Sequence, residues 1–195
     1  MGCFVNFGAD WHGPGEILYG NRGAVVVGEL DGRITERARE MHRLLSLFDA
    51  DSILTDNIYG YLWGKLAYGA MLFGTALTDD SMSANFADPE RLPVWLALGR
   101  EVGAVAAKRG VTSLGFGEFD PMVFAPGQPE APQVETIRWL AHYTSQTAKT
   151  HSGIWRDLAV RKRKTEVEPQ IGVIAALGRE VGIATPAIET LVSLI

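Results

Sequence analysis

The chain has 195 residues, enough for one domain or for one domain and part of another. Its hydrophobic fraction of 47% with 21% charged residues can fill a core, and a net charge of −5 argues against a nucleic-acid partner. The single cysteine, Cys3, excludes an intrachain disulfide, and no basic segment leads into an apolar one, so the expected location is cytoplasmic.

Residues 1 to 56 read as strand, hairpin, helix and strand. Residues 3 to 7 form a short apolar run of β propensity ending at Gly8, and His12-Gly13-Pro14-Gly15 is a turn. Residues 17 to 19 allow a second strand, and Ala24-Val25-Val26-Val27, between Gly23 and Gly28, reads as a buried one. Thr35 can cap a helix running to about residue 48, with Ala38, Met41, Leu44, Leu45 and Phe48 at helical spacing on its inward face. Residues 52 to 55 make a last short strand, so the segment looks like the trailing edge of a mixed α/β sheet. The Cys3 thiol is expected to be buried and structural. His12 is expected in an exposed turn and His42 on the polar side of its helix. Neither has a Cys, His or Asp at ligand spacing, so no metal site is expected.

Residues 57 to 78 are apolar apart from one charge, Lys65. Asp56 or Asn57 can cap the start, and Asp79-Asp80 closes the stretch. It is long enough to cross a bilayer, and Gly60 and Gly64 form a small-xxx-small pair. Against that, a central lysine costs about 2.5–3.5 kcal/mol on insertion, and the flanks carry aspartates rather than basic residues. A buried core helix is the expected reading, with no membrane partner.

The remainder is helical in pattern. Asp88 followed by Pro89 starts a helix running to Gly110, with Leu92, Trp95, Leu96, Val102, Val105 and Ala106 as its buried stripe. Residues 111 to 132 form a loop. Its Gly115-Phe116-Gly117 segment lacks the third glycine of a phosphate-binding loop and reads as a turn. A third helix covers roughly residues 133 to 149, with Val134, Ile137, Leu140 and Ala141 inward, and a short helix follows over 151 to 158. Arg161-Lys162-Arg163-Lys164 reads as a solvated helix end whose field can help hold an anion. Thr165 and Glu168 have capping-box spacing ahead of a helix burying Val167, Ile171, Ile174 and Val181, and Thr185-Pro186 caps the last helix.

Two ionisable residues stand apart from ordinary surface charge. Lys65 lies inside the most apolar helix, and Glu166 lies in the first turn of another, where capping explains Glu168 but not Glu166. A lysine held near a carboxylate can donate a proton to a carbonyl oxygen as negative charge develops there. A buried ion pair tying two helices together is the other reading of the same residues.

Trp63-Gly64-Lys65-Leu66 resembles a W-x-K-L signature at the start of a helical domain. Ser152-Gly153-Ile154-Trp155-Arg156-Asp157, Lys162-Arg163-Lys164-Thr165-Glu166-Val167-Glu168 and Gly182-Ile183-Ala184-Thr185-Pro186 resemble further stretches of the same family, in the same order. The family is that of the ketopantoate reductases (2-dehydropantoate 2-reductases), and the resemblance covers the whole chain. It implies a mostly α fold. Residues 57 to 195 would be an all-helical substrate and dimerisation domain like that of 6-phosphogluconate dehydrogenase, behind a small α/β part of a Rossmann-type cofactor domain at residues 1 to 56. It also implies an NADPH-dependent reduction of a 2-keto acid to a 2-hydroxy acid on the route to pantothenate, in a homodimer. Lys65 would be the proton donor, Glu166 would bind the substrate's hydroxyl end, Ser152 its carboxylate side, and Asp157 would support that helix.

Three departures qualify what is implied. The family's opening G-x-G-x-x-G turn is not in this sequence, so the chain is expected to correspond to the C-terminal two-thirds of the family and to bind no NADP(H) alone. Gly69 and Phe73 stand where the family usually places asparagines, four and eight residues after the lysine, so the preferred keto acid need not be ketopantoate. The spacing from Asp157 to Glu166 is one residue longer than usual. The alternative expectation is a non-catalytic helical dimerisation module derived from that family.

Overall fold

The computed structural model describes residues 1–195, apart from the side chains at positions 10 and 20 to 22. Strands β1 (Gly2–Gly13) and β2 (Glu16–Gly28) form one long antiparallel hairpin, and the short β3 (Ile53–Leu54) adds parallel to β2. The result is the expected mixed sheet, in the order β1-β2-β3. The separate short strands expected at 3 to 7, 17 to 19 and 24 to 27 are pieces of these two long ones. Glycines that look like strand ends are internal, because the strands approach too closely for any side chain. A Cβ at Gly23 would fall 0.9 Å from the Asn6 carbonyl oxygen. Register shifts around Gly8 and next to Gly13 absorb the remaining mismatch, and His12 consequently lies on β1 rather than in the turn. The turn itself is Pro14-Gly15, with Gly15 at φ +81°.

Helix α1 (Glu36–Phe48) begins as expected, the Thr35 hydroxyl accepting from the Ala38 amide. Only part of its expected inward face is covered. Ala38 alone of its residues is fully buried, whereas Met41, Leu44 and Phe48 are exposed and Leu45 is half-buried. The side turned to the sheet carries His42, whose Nε2 lies 2.8 Å from the Ser52 carbonyl oxygen, and Ser46, whose hydroxyl meets that of Ser52 at 2.9 Å. The polar backbone leading into the two-residue β3 needs partners, and these side chains provide them. Cys3 is exposed, not buried, because it alternates along β1 with Phe4, which takes the inward position.

Helix α2 (Ile58–Gly74) is capped by Asn57 and continues as a 3₁₀ turn, Thr75–Leu77. No helix among the described residues is long and apolar enough to cross a membrane. The Gly60/Gly64 pair admits a loop rather than a second helix. The Gly60 carbonyl accepts from the Leu114 amide at 2.9 Å, and a Cβ at Gly64 would lie 2.0 Å from the Leu114 oxygen.

A short helix that periodicity does not show, α3 (Met82–Ala87), is capped by Ser81. Asp88 ends it rather than starting the next one, and α4 (Leu92–Lys108) opens later than expected. The reason is Asn85, buried in α3 and held by Arg91 at 2.8 Å, which fixes the turn between the two helices. Next come α5 (Glu130–Ser145) and α6 (Gly153–Trp155), the latter running into a π-helical turn, Arg156–Val160. A second π turn, Glu168–Gly172, precedes α7 (Val173–Val181), and α8 (Pro186–Leu194) ends the chain. That wide turn undoes the expected capping box. The Thr165 hydroxyl accepts from the Val167 amide, and the Glu168 side chain has no hydrogen bond among the described residues. At α8 the cap comes from afar, since the Glu101 carboxylate of α4 accepts from the amides of Ala187 and Ile188 instead of Thr185.

The core lies among the helices after residue 57, with Trp95, Leu98, Phe124, Ile137, Ile174 and Ile188 fully buried. A second small cluster, Phe4, Val26 and Ile58, seats the sheet on α2.

Candidate active site

Lys65 reaches from α2 toward β1. Its Nζ donates to the Val5 carbonyl at 2.9 Å and sits 5.6 Å from the centroid of the Phe4 ring. Neither partner neutralises it. Partial burial lowers its pKa below the ordinary lysine range, with the nearby Cys3 sulfur acting against the shift. Tyr68 and Leu72, three and seven positions on, share that side of the helix, about 4.5 and 10.5 Å further along its axis.

Tyr68 and Leu72 line a cavity of about 100 Å³ between α2 and β1, which contributes Asn6 and Phe7. Tyr143 of α5 and Ser152 complete its far side. A second cavity of about 90 Å³ shares Asn6, Tyr68 and Tyr143 and is walled by Phe116 and Trp139. Ser152 is buried, and its Oγ accepts from the Trp155 amide at 3.2 Å as the cap of α6, which leaves its own proton to be donated. Lys65 and Ser152 are thus set along one strand, the first on Val5 and the second across the cavity from Asn6 and Phe7.

Lys65 itself lines neither cavity, and the other two expected site residues, Asp157 and Glu166, lie outside them as well. Asp157 pairs with Arg161 at 2.8 Å and Arg163 at 2.9 Å, and Arg163 first, then Arg161, holds its carboxyl below the usual range. The two arginines of the basic run therefore fold back on the helix they follow. Glu166 is exposed and accepts a hydrogen bond from the Gln170 side-chain amide. Its turn packs on α2 one helical turn beyond Lys65, where a Cβ at Gly69 would meet Ile171 Cδ1 at 3.9 Å. No hydrogen bond or ion pair joins Lys65 to Glu166 among the described residues. Phe73 is sealed in the core at 2% exposure, so that position presents nothing to the cavity.

Sequence reasoning missed Tyr68, Tyr143 and Asn6. For Tyr68 the signal was present, since a tyrosine three residues after a lysine shares its helix face. Tyr143 and Asn6 arrive from distant elements. A groove of about 450 Å³ between α7 and α8 is elsewhere, and the Arg179–Glu189 pair at 2.7 Å borders it.

A dinucleotide needs a strand that passes through glycines into the N-terminus of a helix. The approach to that pattern among the described residues is the turn from β2 through Gly28 and Gly32 into α1. It does not fit. The Glu29 carboxylate already occupies the turn, bonded to Thr35 and Arg37, with Asp31 and Glu36 beside it, so a pyrophosphate would meet like charge.

The family described as "Ketopantoate reductase PanE/ApbA C terminal" matches residues 57–195. The chain belongs to the ketopantoate reductase family. A 2-dehydropantoate 2-reductase from Archaeoglobus fulgidus is 26% identical over 196 residues, covering 100% of this chain and 59% of that protein. A PanE/ApbA family ketopantoate reductase structure from Ralstonia eutropha JMP134 superposes with a TM-score of 0.73 at 20% identity, over 98% of this chain and 56% of that one. A D-mandelate dehydrogenase solved with NADH gives 0.75 at 20% identity, over 99% and 60%. The family assignment and the mostly helical fold agree with the expectation from the motifs. The chain spans about three-fifths of the length of these proteins.

Proposed function

We propose that this chain supplies the substrate-binding and proton-donor part of a cytoplasmic, homodimeric, NADPH-dependent reductase that converts a small 2-keto acid to a 2-hydroxy acid. Residues 1 to 56 are then the edge of a Rossmann-like cofactor domain, and residues 57 to 195 are the substrate and dimerisation domain. The reading is carried by Lys65, whose ammonium donates to the Val5 carbonyl, next along β1 from Asn6 and Phe7 of the cavity that Ser152 lines.

The residues of this chain divide the work as follows. Reduction at the keto carbon leaves negative charge on the carbonyl oxygen. Lys65 stabilises that charge by hydrogen bonding and then gives up its proton, and its lowered pKa makes the release easier. The Ser152 hydroxyl donates to the substrate carboxylate. Asp157, tied to Arg161 and Arg163, holds the segment that carries Ser152. Glu166 would take a hydroxyl at the substrate's far end on the carboxylate oxygen that Gln170 does not bond. The described residues provide no pyrophosphate cradle, so no step is assigned to the cofactor within this chain.

In a preparation that reduces a 2-keto acid, Lys65→Ala should lower turnover by about 10²- to 10⁴-fold, the usual worth of a positioned acid. The alkaline limb of the wild-type rate should fall below the range of an ordinary lysine, because the donor must be protonated. Unchanged turnover in Lys65→Ala would refute the assignment. The dimerisation-module reading draws on a different observation, the outward apolar side of α1, and it alone predicts that Lys65→Ala leaves turnover untouched.

A further inference from the structure

We propose that Asn6 is a substrate-binding residue, whose side-chain amide donates to the carboxylate of the 2-keto acid from the wall of the cavity across from Ser152. The inference rests on the reading that Ser152 donates to that carboxylate, and it adds the second donor.

Asn6 follows Val5 on β1, and the alternation of the strand turns its side chain to the same face as Phe4, toward the helices. On that face the Phe4 ring meets Tyr61 and Phe116. Two residues on, Asn6 lines both cavities together with Tyr68 and Tyr143. The register shift between Asn6 and Gly8 is of the kind that re-aims side chains, and Phe7 lines the first cavity too. The Asn6 side chain makes no hydrogen bond among the described residues, yet no buried polar side-chain atom among them lacks a partner. Its amide is therefore open to the cavity rather than shut into the protein.

What the rest of that wall has left to give points to an anion. The Ser152 hydroxyl accepts from the Trp155 amide and keeps its proton for a ligand. Thr144 and Thr147 have spent theirs on the carbonyls of Leu140, at 2.7 Å, and Thr144, at 3.0 Å. Among the described residues that line the cavity there is no Asp or Glu, and the basic one is Lys149. Burial, with Tyr143 adding to it, holds the Tyr68 hydroxyl neutral well above physiological pH, so no negative charge arises there near neutrality. A carboxylate only accepts, at about four lone-pair sites, so Asn6 and Ser152 can meet on it from two sides while the lysine's field offsets its charge. A neutral ligand would leave these donors partly unused. The cavity of about 100 Å³ equals roughly three water molecules of liquid volume, enough for a carboxylate and the atoms next to it.

The test is a calorimetric titration of the 195-residue chain with 2-oxobutanoate and with its methyl ester, which keeps the keto group and removes the charge. Both titrations are repeated on Asn6→Ala and on Asn6→Asp, the second of which keeps the side-chain shape and replaces its donors by an anion. The wild type should bind the acid at least about tenfold more tightly than the ester. Asn6→Ala should weaken the acid by about 10- to 100-fold, the usual worth of a hydrogen bond to a charged group, and Asn6→Asp should weaken it further. The ester should move by no more than about twofold in Asn6→Ala, whereas a merely structural Asn6 would make acid and ester fall together. That joint fall, an acid affinity unmoved in both variants, or a wild type that binds the ester as well as the acid would each overturn the inference while leaving the 2-keto acid reading intact. Failure of the wild type to bind either compound would sink the inference together with the reading beneath it.

Discussion

In α2 the apolar residues Trp63, Ala67, Ala70 and Met71 are closed into the core, whereas in α1 Met41, Leu44, Leu47 and Phe48 stand between 37% and 78% exposed. Both helices have well-placed caps, Asn57 and Thr35, and both carry apolar residues at helical spacing. The difference lies in what covers them. Residues 57 to 195 surround α2 with helices on several sides, while α1 meets the described sheet through His42, Ser46 and Ala38 and has its oily side left over. Ring contacts gather that side with the hairpin, Phe7 lying 5.5 Å from Phe48 and 6.4 Å from Tyr19. Periodicity therefore reports that a helix has an apolar face. It does not report which neighbour will cover it.

The contrast is broken most directly by trimming one phenylalanine from each part. Phe124 is 1% exposed and packs against Gly99, where a Cβ would already lie 2.5 Å from its ring. Phe124→Ala should cost about 3–5 kcal/mol, the usual range for a buried phenylalanine, and Phe48→Ala should stay within about 0.5 kcal/mol. Urea unfolding of both variants measures this. Equal losses would mean that α1 is covered in solution.

Such a covering is the second way to sharpen the comparison. The chain is expected to self-associate as a two-fold dimer, and the α1–hairpin patch is the apolar face it offers. Leu44→Asp with Phe48→Asp should then weaken the association by at least about tenfold, or about 1.4 kcal/mol. Light scattering across a concentration series reads the shift. A dimer untouched by both charges would place the contact in the helical part instead.

What the sequence made legible was local. Thr35 and Asn57 cap where they were expected to, because a cap needs only a side chain and an amide two or three residues on. The helical core after residue 57 followed from spacing alone. Features set by partners far along the chain stayed hidden. Glu101 caps α8 from 86 residues away, so the local Thr185 signal misled. Asp88 has both the residue type and the following proline of a helix start, yet buried Asn85 and Arg91 claim that turn for the helix before it. The candidate site divides along the same line. Lys65 was found because a lone charge in an apolar stretch is anomalous, while Tyr143 and Asn6 join it only through the fold.

The smallest expected effect belongs to the first part of the chain, where an ion cluster does some of the work that a core does in the second. Glu29 is 4% exposed and is gripped by Arg37 through two bonds of 2.7 Å, with the Thr35 hydroxyl as a third partner. Arg37 first, then Thr35, pulls its carboxyl down to about 2. Since the folded value lies below the unfolded one, the ionised form favours folding. The contribution is complete above the unfolded carboxyl pKa of about 4.3 and drains away as pH falls toward 2. Glu29→Gln should therefore melt below the wild type at pH 7, and the gap should close as pH approaches 2. Hydrogen exchange should show the loss confined to α1 and the β2–α1 turn, with α4 and α5 protected as before. A gap that persists undiminished at pH 2 would show that Glu29 acts through its shape and not its charge.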